Sequence, residues 1–420
     1  MLDIKFIREN KDLIAAGAKK KHIDFDVNKL MVADDKRRAL LMEVEEMRTK
    51  QNAITEAIKV SIDNVERVHF VNSAKELKDK LQKKEEELKE IMKVWQSLIV
   101  QVPNIPDMSV PEGGSDADNK ELRTWGTIPK FSFEPKSHIE LMQKLNMVDL
   151  ERGTKVSGFR GYFLKNDGAL LSFALWQFAI DELVKDGFSP MIAPSLVRRE
   201  TLMGTGYLPQ GEEDLYKSQD GDYFAGTAEV GTMGYFMDDV LLKTDLPKKT
   251  VSFSPCFRRE AGSHGKDTKG LIRVHEFYKI EQVVLCEASH EESVKHHEAI
   301  LQNAEHLMQK LNIPYRVVVN CGGDLGLGQV KKYDIELWVP AEKTYREIGS
   351  TSYFHDFQTR RLNIRYRDKE GKLRFAHSLN STAIPTPRIL VSIVENYQQE
   401  DGSIKIPDVL VPYMGVSVIR

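Results

Sequence analysis

Cysteine is scarce in this chain, and long apolar runs are missing. Its 420 residues include three cysteines, Cys256, Cys286 and Cys321, which lie far apart and form no CxxC pair. A disulfide framework and a zinc ribbon are therefore excluded, and a reducing compartment fits. The longest apolar stretch, Ala169 to Leu183, is broken by Ser172, Gln177 and Asp181. It reads as a core helix, because a bilayer span needs a longer uninterrupted run. The opening MLDIKFIREN is charged and amphipathic, with no secretory apolar segment. These absences predict a cytoplasmic protein with no membrane partner. Excess charge of one sign is missing too: the formal net charge is −3. Any case for a nucleic-acid partner must then rest on local patches.

Common nucleotide and metal motifs are also absent. Gly262-Ser263-His264-Gly265-Lys266 lacks P-loop spacing, and Asp267 stands where Ser or Thr is needed. Gly326-Leu327-Gly328 has no third glycine and opens no helix after a strand, so it is not a dinucleotide fingerprint. His290, His296 and His297 do not form HExxH, since Val294 occupies the second histidine position. They read as a solvated helix face.

What is present divides the chain near residue 105. Leu40, Val44, Met47, Gln51, Ile54 and Ile58 alternate steps of four and three. Ala74, Leu77, Leu81, Lys84, Leu88, Ile91, Trp95 and Leu98 do the same. That 3.5-residue period is the coiled-coil pattern. The rhythm lapses from Ser61 to Asn72, which predicts an antiparallel hairpin with arms about 45 to 50 Å long. A dimerisation coil or a spacer would show the same periodicity. Pro103, Pro106, Pro111, Gly113 and Gly114 then mark a linker over 106–130. Beyond it, 131–420 mixes helices with strand-like segments: Thr250 to Arg259, Ile272 to Leu285, Tyr315 to Asn320, Lys332 to Val339 and Asn363 to Asp368. Their irregular spacing and short Gly-containing connections favour an antiparallel sheet. The fold class expected is α+β: an N-terminal helical hairpin, then an antiparallel sheet flanked by helices.

Chemistry-bearing residues are densest from Phe253 to Leu285, FSPCFRREAGSHGKDTKGLIRVHEFYKIEQVVL. Read as strand, polar loop and strand, it makes Arg258 and Glu260 point together, as do Arg273, His275, Phe277, Lys279 and Glu281. Phe277 and Glu281 would lie about 13 Å apart. A ring, an arginine and an acid so arranged could hold a base, a phosphate and an ammonium group of one extended ligand. A salt-bridged sheet face is the alternative these residues leave open.

This stretch resembles motif 2 of the class II aminoacyl-tRNA synthetases, in the seryl form. Gly187-Phe188 with Pro194 resembles motif 1, Thr227-Ala228-Glu229 the serine-site signature, and Leu379-Asn380 through Arg388 motif 3. Tyr333-Asp334-Ile335-Glu336 and Tyr345-Arg346-Glu347-Ile348 resemble the strands leading to the metal site, and ENYQQEDGSIKIPDVLVPYMG resembles the bacterial-type C-terminus. The N-terminal hairpin resembles the family's arm, so the likeness runs the whole chain in order.

The resemblance implies a class II catalytic domain over 131–420 and a tRNA-binding arm over 1–105. It implies ATP-dependent serine activation and transfer to serine tRNA, and to selenocysteine tRNA where present. ATP would be bound by Arg258, Arg259, Glu260, Val274, Phe277, Glu347, Ile348, Gly349, Ser350 and Arg388. Arg258 and Arg388 would neutralise the α- and γ-phosphates, Phe277 would stack on adenine and Glu260 would contact the nucleotide. Serine would meet Thr227, Ala228, Glu229, Arg258, Glu281, Asn380 and Thr382, and Mg²⁺ would sit on Glu347 and Ser350. The motif 1 likeness implies a homodimer, and the arm would grip the long variable arm of the tRNA. Gly231, Gly349, Thr351, Tyr353, Ser381, Thr382, Pro385 and Pro387 depart from the usual pattern and cluster around the expected amino-acid pocket. The rival expectation is a paralogue that loads an amino acid onto a non-tRNA acceptor.

Overall fold

The computed structural model describes every residue apart from Ser263, His264 and Lys266. The glycine-lysine stretch weighed above as a P-loop thus lies partly outside the described residues. The chain forms two compact units, one of residues 1–19 and 23–103, the other of 20–22 and 104–420.

The first unit is dominated by two long helices, α1 (Val27–Val60) and α2 (Asn64–Ile99). At 1.5 Å per residue they are about 51 and 54 Å long. Each is capped by an aspartate, Asp26 accepting from the Asn28 amide and Asp63 from that of Val65. The reversal takes only Ser61 to Asp63, so helix resumes earlier than the lost rhythm predicts. Each seam position read from the sequence is buried or half-buried, and most positions between them are exposed. Leu40, Val44 and Leu81 are buried and the other seam positions half-buried, since two helices cannot enclose one another along their whole length. Lys84, which interrupts it, reaches Glu43 of the facing helix at 3.0 Å, and Arg48 reaches Glu85 at 2.7 Å. The polar interruption at Lys84 and the flanking Arg48 thus form ion pairs across the hairpin that help fix its register.

The second unit is built on an eight-stranded sheet. Its strands are β1 (Lys120–Trp125), β2 (Ser189–Ile192), β3 (Lys248–Phe257), β4 (Glu276–Cys286), β5 (Tyr315–Val319), β6 (Lys331–Val339), β7 (Thr344–Tyr353) and β8 (His377–Thr386). Their order is β1-β5-β6-β7-β8-β4-β3-β2, antiparallel throughout except for the β2–β3 pair. β1 lies inside the stretch expected to be linker. An edge strand needs one paired neighbour and one covered face, and Trp125 supplies the cover by stacking on Tyr315 at 5.7 Å. The segment expected as a strand from Asn363 narrows to Arg365–Arg367, which pairs with Val240–Leu242 in a separate small sheet.

Helices α3 (Asp167–Lys185), α5 (His290–Lys310) and α6 (Arg388–Asn396) pack on the sheet; α4 (Ala228–Tyr235) contacts β3 and β4. Strand alternation explains the layering. On β4, Ile280 and Val284 enter the main core with Leu171, Leu175, Leu301, Ile389 and Leu390. Val283 and Leu285 face the other way, into a second cluster with Met233 and Phe236. Lys279 and Glu281 alternate with the main-core residues, on the side where the cleft opens. All three cysteines are buried and unpaired. The expected solvated histidine face is corrected by α5: His296 and His297 are buried, and His297 stacks on Tyr333 at 4.8 Å while its Nε2 meets the Thr351 carbonyl at 3.0 Å. Both are turned inward, His297 onto β6 and β7, whereas His290 opens the helix and stays exposed. Among the described residues, no helix is long and apolar enough to cross a membrane.

Candidate active site

Two cavities meet over the middle of the sheet. The first, about 230 Å³, is walled by Arg258, Glu260, Val274, Phe277, Glu347, Ile348, Gly349, Ser350, Thr382 and Arg388 among others. The second, about 290 Å³, holds Thr227, Glu229, Glu281 and Asn380. Both share Arg258, Lys279, Gln329 and Ser350, so they form one bent trough, cationic at one end and carboxylate-lined at the other.

Arg258 stands at the bend. Its guanidinium lies 5.2 Å from the centre of the Phe277 ring, and its Nε donates to the Gly226 carbonyl at 3.3 Å. Regular β3 ends at Phe257 and regular β4 begins at Glu276, so strand alternation does not govern Arg258, Glu260, Arg273 or His275. Instead Glu260 turns through a positive φ of 55° and binds Arg273 at 2.7 Å. Arg388 opens α6 and is locked by two backbone acceptors, Ile272 and Glu347, both at 2.9 Å. Its Nη1 lies 3.8 Å from the half-exposed Glu347 carboxylate. Enclosure pushes that carboxyl up, but Arg388, Lys332 and Arg258 together hold it below the usual range.

At the other end, Glu229 is buried and held by two neutral donors. Tyr207 OH donates to Oε2 at 2.9 Å and Gln358 Nε2 to Oε1 at 2.6 Å. Burial raises its pKa and the neighbouring Glu281 adds to the rise, against the pull of Gln358, Tyr207 and Lys279. Glu281 accepts from Thr382 Oγ1 at 3.0 Å and pairs with Lys279 at 2.8 Å. Thr227 caps α4 through the Glu229 amide, and its hydroxyl also accepts from Lys279 at 3.4 Å.

Two expected residues fall outside the trough. Arg259 does not line either cavity; its amide donates to the Asp214 carbonyl. Ala228 is buried in the first turn of α4, where its carbonyl accepts from Thr232. Residues to which sequence reasoning gave no role stand inside: Lys279, Lys332, Gln329, Tyr207 and, behind Glu229, Gln358. Only Lys279 carried a signal, since it falls between Phe277 and Glu281 with the same two-residue spacing.

The departures from the family pattern pair up. A Cβ on Gly349 would sit 2.7 Å from Thr382 Cβ, so the methyl of Thr382 fills space that glycine leaves. Thr351 and Ser381 share a hydroxyl–hydroxyl bond of 2.7 Å in buried register across β7 and β8. Gly231 lies against Pro194, where a Cβ would approach the carbonyl to 2.8 Å. Tyr353 is fully buried with its hydroxyl on Asp107 at 3.0 Å. Pro385 and Pro387 line the cationic end.

Comparison with known proteins follows the same geometry. Residues 216–397 match the tRNA synthetase class II core domain (G, H, P, S and T), and residues 1–106 match the seryl-tRNA synthetase N-terminal domain. The chain is 46% identical to the serine–tRNA ligase of Deinococcus radiodurans, over 99% of this chain and 98% of that protein. The crystal structure of seryl-tRNA synthetase from Pyrococcus horikoshii complexed with ATP superposes with a TM-score of 0.90 at 39% identity, covering 100% of this chain and 99% of that one. The cytoplasmic serine–tRNA ligase of Naegleria fowleri in complex with AMP gives 0.86 at 33% identity, with coverage of 100% and 99%. With both of its parts matched and its full length covered, the chain belongs to the seryl-tRNA synthetase family.

Proposed function

We propose that the chain activates L-serine with ATP to give seryl-adenylate and pyrophosphate, then passes the seryl group to the 3′ end of serine tRNA. The trough carries this reading: a cavity rich in arginine and an aromatic ring joins one containing buried carboxylates, with Arg258 and Lys279 where they meet. Arg258 and Arg388 neutralise phosphate charge, Phe277 stacks on adenine, and Glu260 contacts the nucleotide. Val274, Ile348 and Gly349 shape the walls of that end. Glu229 and Glu281 take the ammonium and hydroxyl of serine, supported by Thr227, Asn380 and Thr382. The serine carboxylate then attacks the α-phosphate in line, at the bend. No protein nucleophile is needed; positioning and charge neutralisation drive the step. Glu347 and Ser350 offer a carboxylate and a hydroxyl on the phosphate side, the hard oxygen donors that Mg²⁺ prefers. There the ion would neutralise phosphate charge. Full-length likeness to serine–tRNA ligases weighs against a paralogue serving another acceptor.

Serine-dependent pyrophosphate exchange tests the substrate. Alanine should be activated about 10⁴-fold less efficiently, because it leaves the hydroxyl-binding groups unpaired. Equal rates with the two amino acids would refute the assignment.

The raised pKa of Glu229 gives a pH signature. Only the ionised carboxylate attracts an ammonium group, so the serine KM should rise as pH falls through a range above that of an ordinary carboxylate. Tyr207→Phe removes a donor to the ionised form and should move the rise to higher pH, with the ATP KM unmoved. Superimposable serine profiles for the two proteins would exclude Glu229 from the ammonium site.

A homodimer is part of the proposal. Phe163, Leu170, Phe173, Ile192 and Leu196 are 44 to 84% exposed, around α3 and the β2 edge. Such a patch calls for a partner surface, and a two-fold axis lets the patch serve both subunits. Light scattering at micromolar concentration should give twice the 48.0 kDa of one chain. A fully active monomer would disprove the dimer.

A further inference from the structure

Lys21 is 3% exposed, yet among the described residues no carboxylate pairs with it. Its ammonium donates to three backbone carbonyls of one tight loop: Gly326 at 3.0 Å, Leu327 at 3.0 Å and Gln329 at 2.6 Å. The remaining carbonyl of that loop, Gly328, accepts from Asn104 Nδ2 at 3.0 Å. Asn104, also 3% exposed, donates its backbone amide to Leu327 as well, at 2.8 Å, and its side chain to Phe354 at 2.8 Å. Four consecutive carbonyls are thus taken by two residues from distant parts of the sequence.

Burying an ammonium group without an acid is costly, and an apolar side chain would fill the same volume at lower cost. What the charge supplies is orientation. A peptide plane sets each N–H opposite the preceding C=O. With the carbonyls of Gly326 and Leu327 turned to Lys21, the amides of Leu327 and Gly328 point the other way, and neither has a hydrogen-bond partner among the described residues. The loop lines the carboxylate end of the trough, and Gln329 lines both ends. Gln329 ties the turn shut, accepting from the Gly326 amide at 2.6 Å and donating to Ser352 at 2.8 Å. A Cβ on Gly328 would come within 2.6 Å of the Phe357 ring, so the loop cannot shift far on that side.

The position of these two residues in the chain is as notable as their bonds. Lys21 lies in the three-residue stretch 20–22 that belongs to the catalytic unit, between residues that belong to the N-terminal one, and Asn104 is the first residue after the N-terminal unit ends. We infer that Lys21 and Asn104 are positioning residues for the serine end of the trough, fixing loop 326–329 so that it presents amide N–H groups and not carbonyl oxygens to the bound amino acid. The points where the chain passes into and out of its N-terminal segment are thereby built into the substrate site. This rests on the serine-activation reading above.

The test uses the full-length protein and pyrophosphate exchange, which needs no tRNA. Lys21→Met and Asn104→Ala should each raise the serine KM about tenfold, the effect of one lost charge-assisted or buried hydrogen bond, and leave the ATP KM unchanged. Amide hydrogen exchange over 326–330 should quicken in both. A lowered unfolding temperature with both KM values unmoved would make the two residues structural only and overturn the inference. A parallel rise of both KM values would overturn it as well, since the whole trough would then have loosened. If Lys21→Met does not fold, Asn104→Ala decides alone by the same criteria. Wild-type exchange that does not depend on serine would refute the functional reading; serine-dependent exchange with an unmoved serine KM would refute this inference and leave that reading standing.

Discussion

Replacing Arg258 with alanine should lower serine-dependent pyrophosphate exchange about 10³-fold, the upper end for removing one preorganised charge from a developing anion. At room temperature that is about 4 kcal/mol of transition-state stabilisation. Folding should scarcely register the change. Arg258 is exposed; among the described residues its side chain makes one hydrogen bond, a long 3.3 Å contact to Gly226, and otherwise meets the face of Phe277. Arg388 makes a poorer probe of the same idea. It anchors Ile272 and Glu347 through their carbonyls, so Arg388→Ala would also release the backbone at Ile272 and the part of β7 that carries Glu347. Arg258→Lys separates charge from shape: it keeps the cation but loses the planar fork, and should fall between wild type and alanine. Exchange by Arg258→Ala within threefold of wild type (about 0.65 kcal/mol), with the protein folded, would remove Arg258 from the phosphate site.

The sequence carried some of this architecture openly and hid the rest for physical reasons. Heptad spacing located each seam residue of α1 and α2, because a narrow apolar stripe is a local property. The strands marked by β-branched and aromatic residues, β5 and β6, were equally legible. β1 was not, since an edge strand needs little apolar content and follows a stretch dense in proline and glycine. The roles of Lys21, Asn104 and Gln358 were invisible because each acts through contacts more than a hundred residues away. The substitutions around the amino-acid pocket looked like threats to selectivity when taken singly. In register they are compensations: Gly349 makes room for the Thr382 methyl, and Thr351 finds Ser381. Neighbours across a sheet are paired by register, which a one-dimensional pattern does not display.

Deleting residues 34–96 and joining the ends with a short linker should leave pyrophosphate exchange intact, yet reduce transfer to serine tRNA by about 10³-fold or more. The first half follows from position, because the trough residues of the proposal all lie beyond residue 200. The second half rests on which arm cations are free to meet phosphate. Of the basic residues along the two helices, Arg37 is committed to Asp34 and to the Trp95 ring, Arg48 to Glu85 and Lys59 to Glu56. Lys36, Arg38, Lys50, Arg67, Lys75 and Lys78 are exposed and make no ion pair among the described residues. If all of these contact the tRNA backbone, affinity should fall about 10³-fold between roughly 50 and 200 mM salt. Interspersed acids keep the arm from binding any polyanion, so shape must supply the choice of tRNA. Neutralising those six together, while leaving the seam intact, should reproduce most of the deletion's effect and flatten the salt dependence. Aminoacylation that survived the deletion unchanged would make the hairpin a spacer. Survival after neutralisation but not after deletion would place recognition on the shape of the arm instead of its charge.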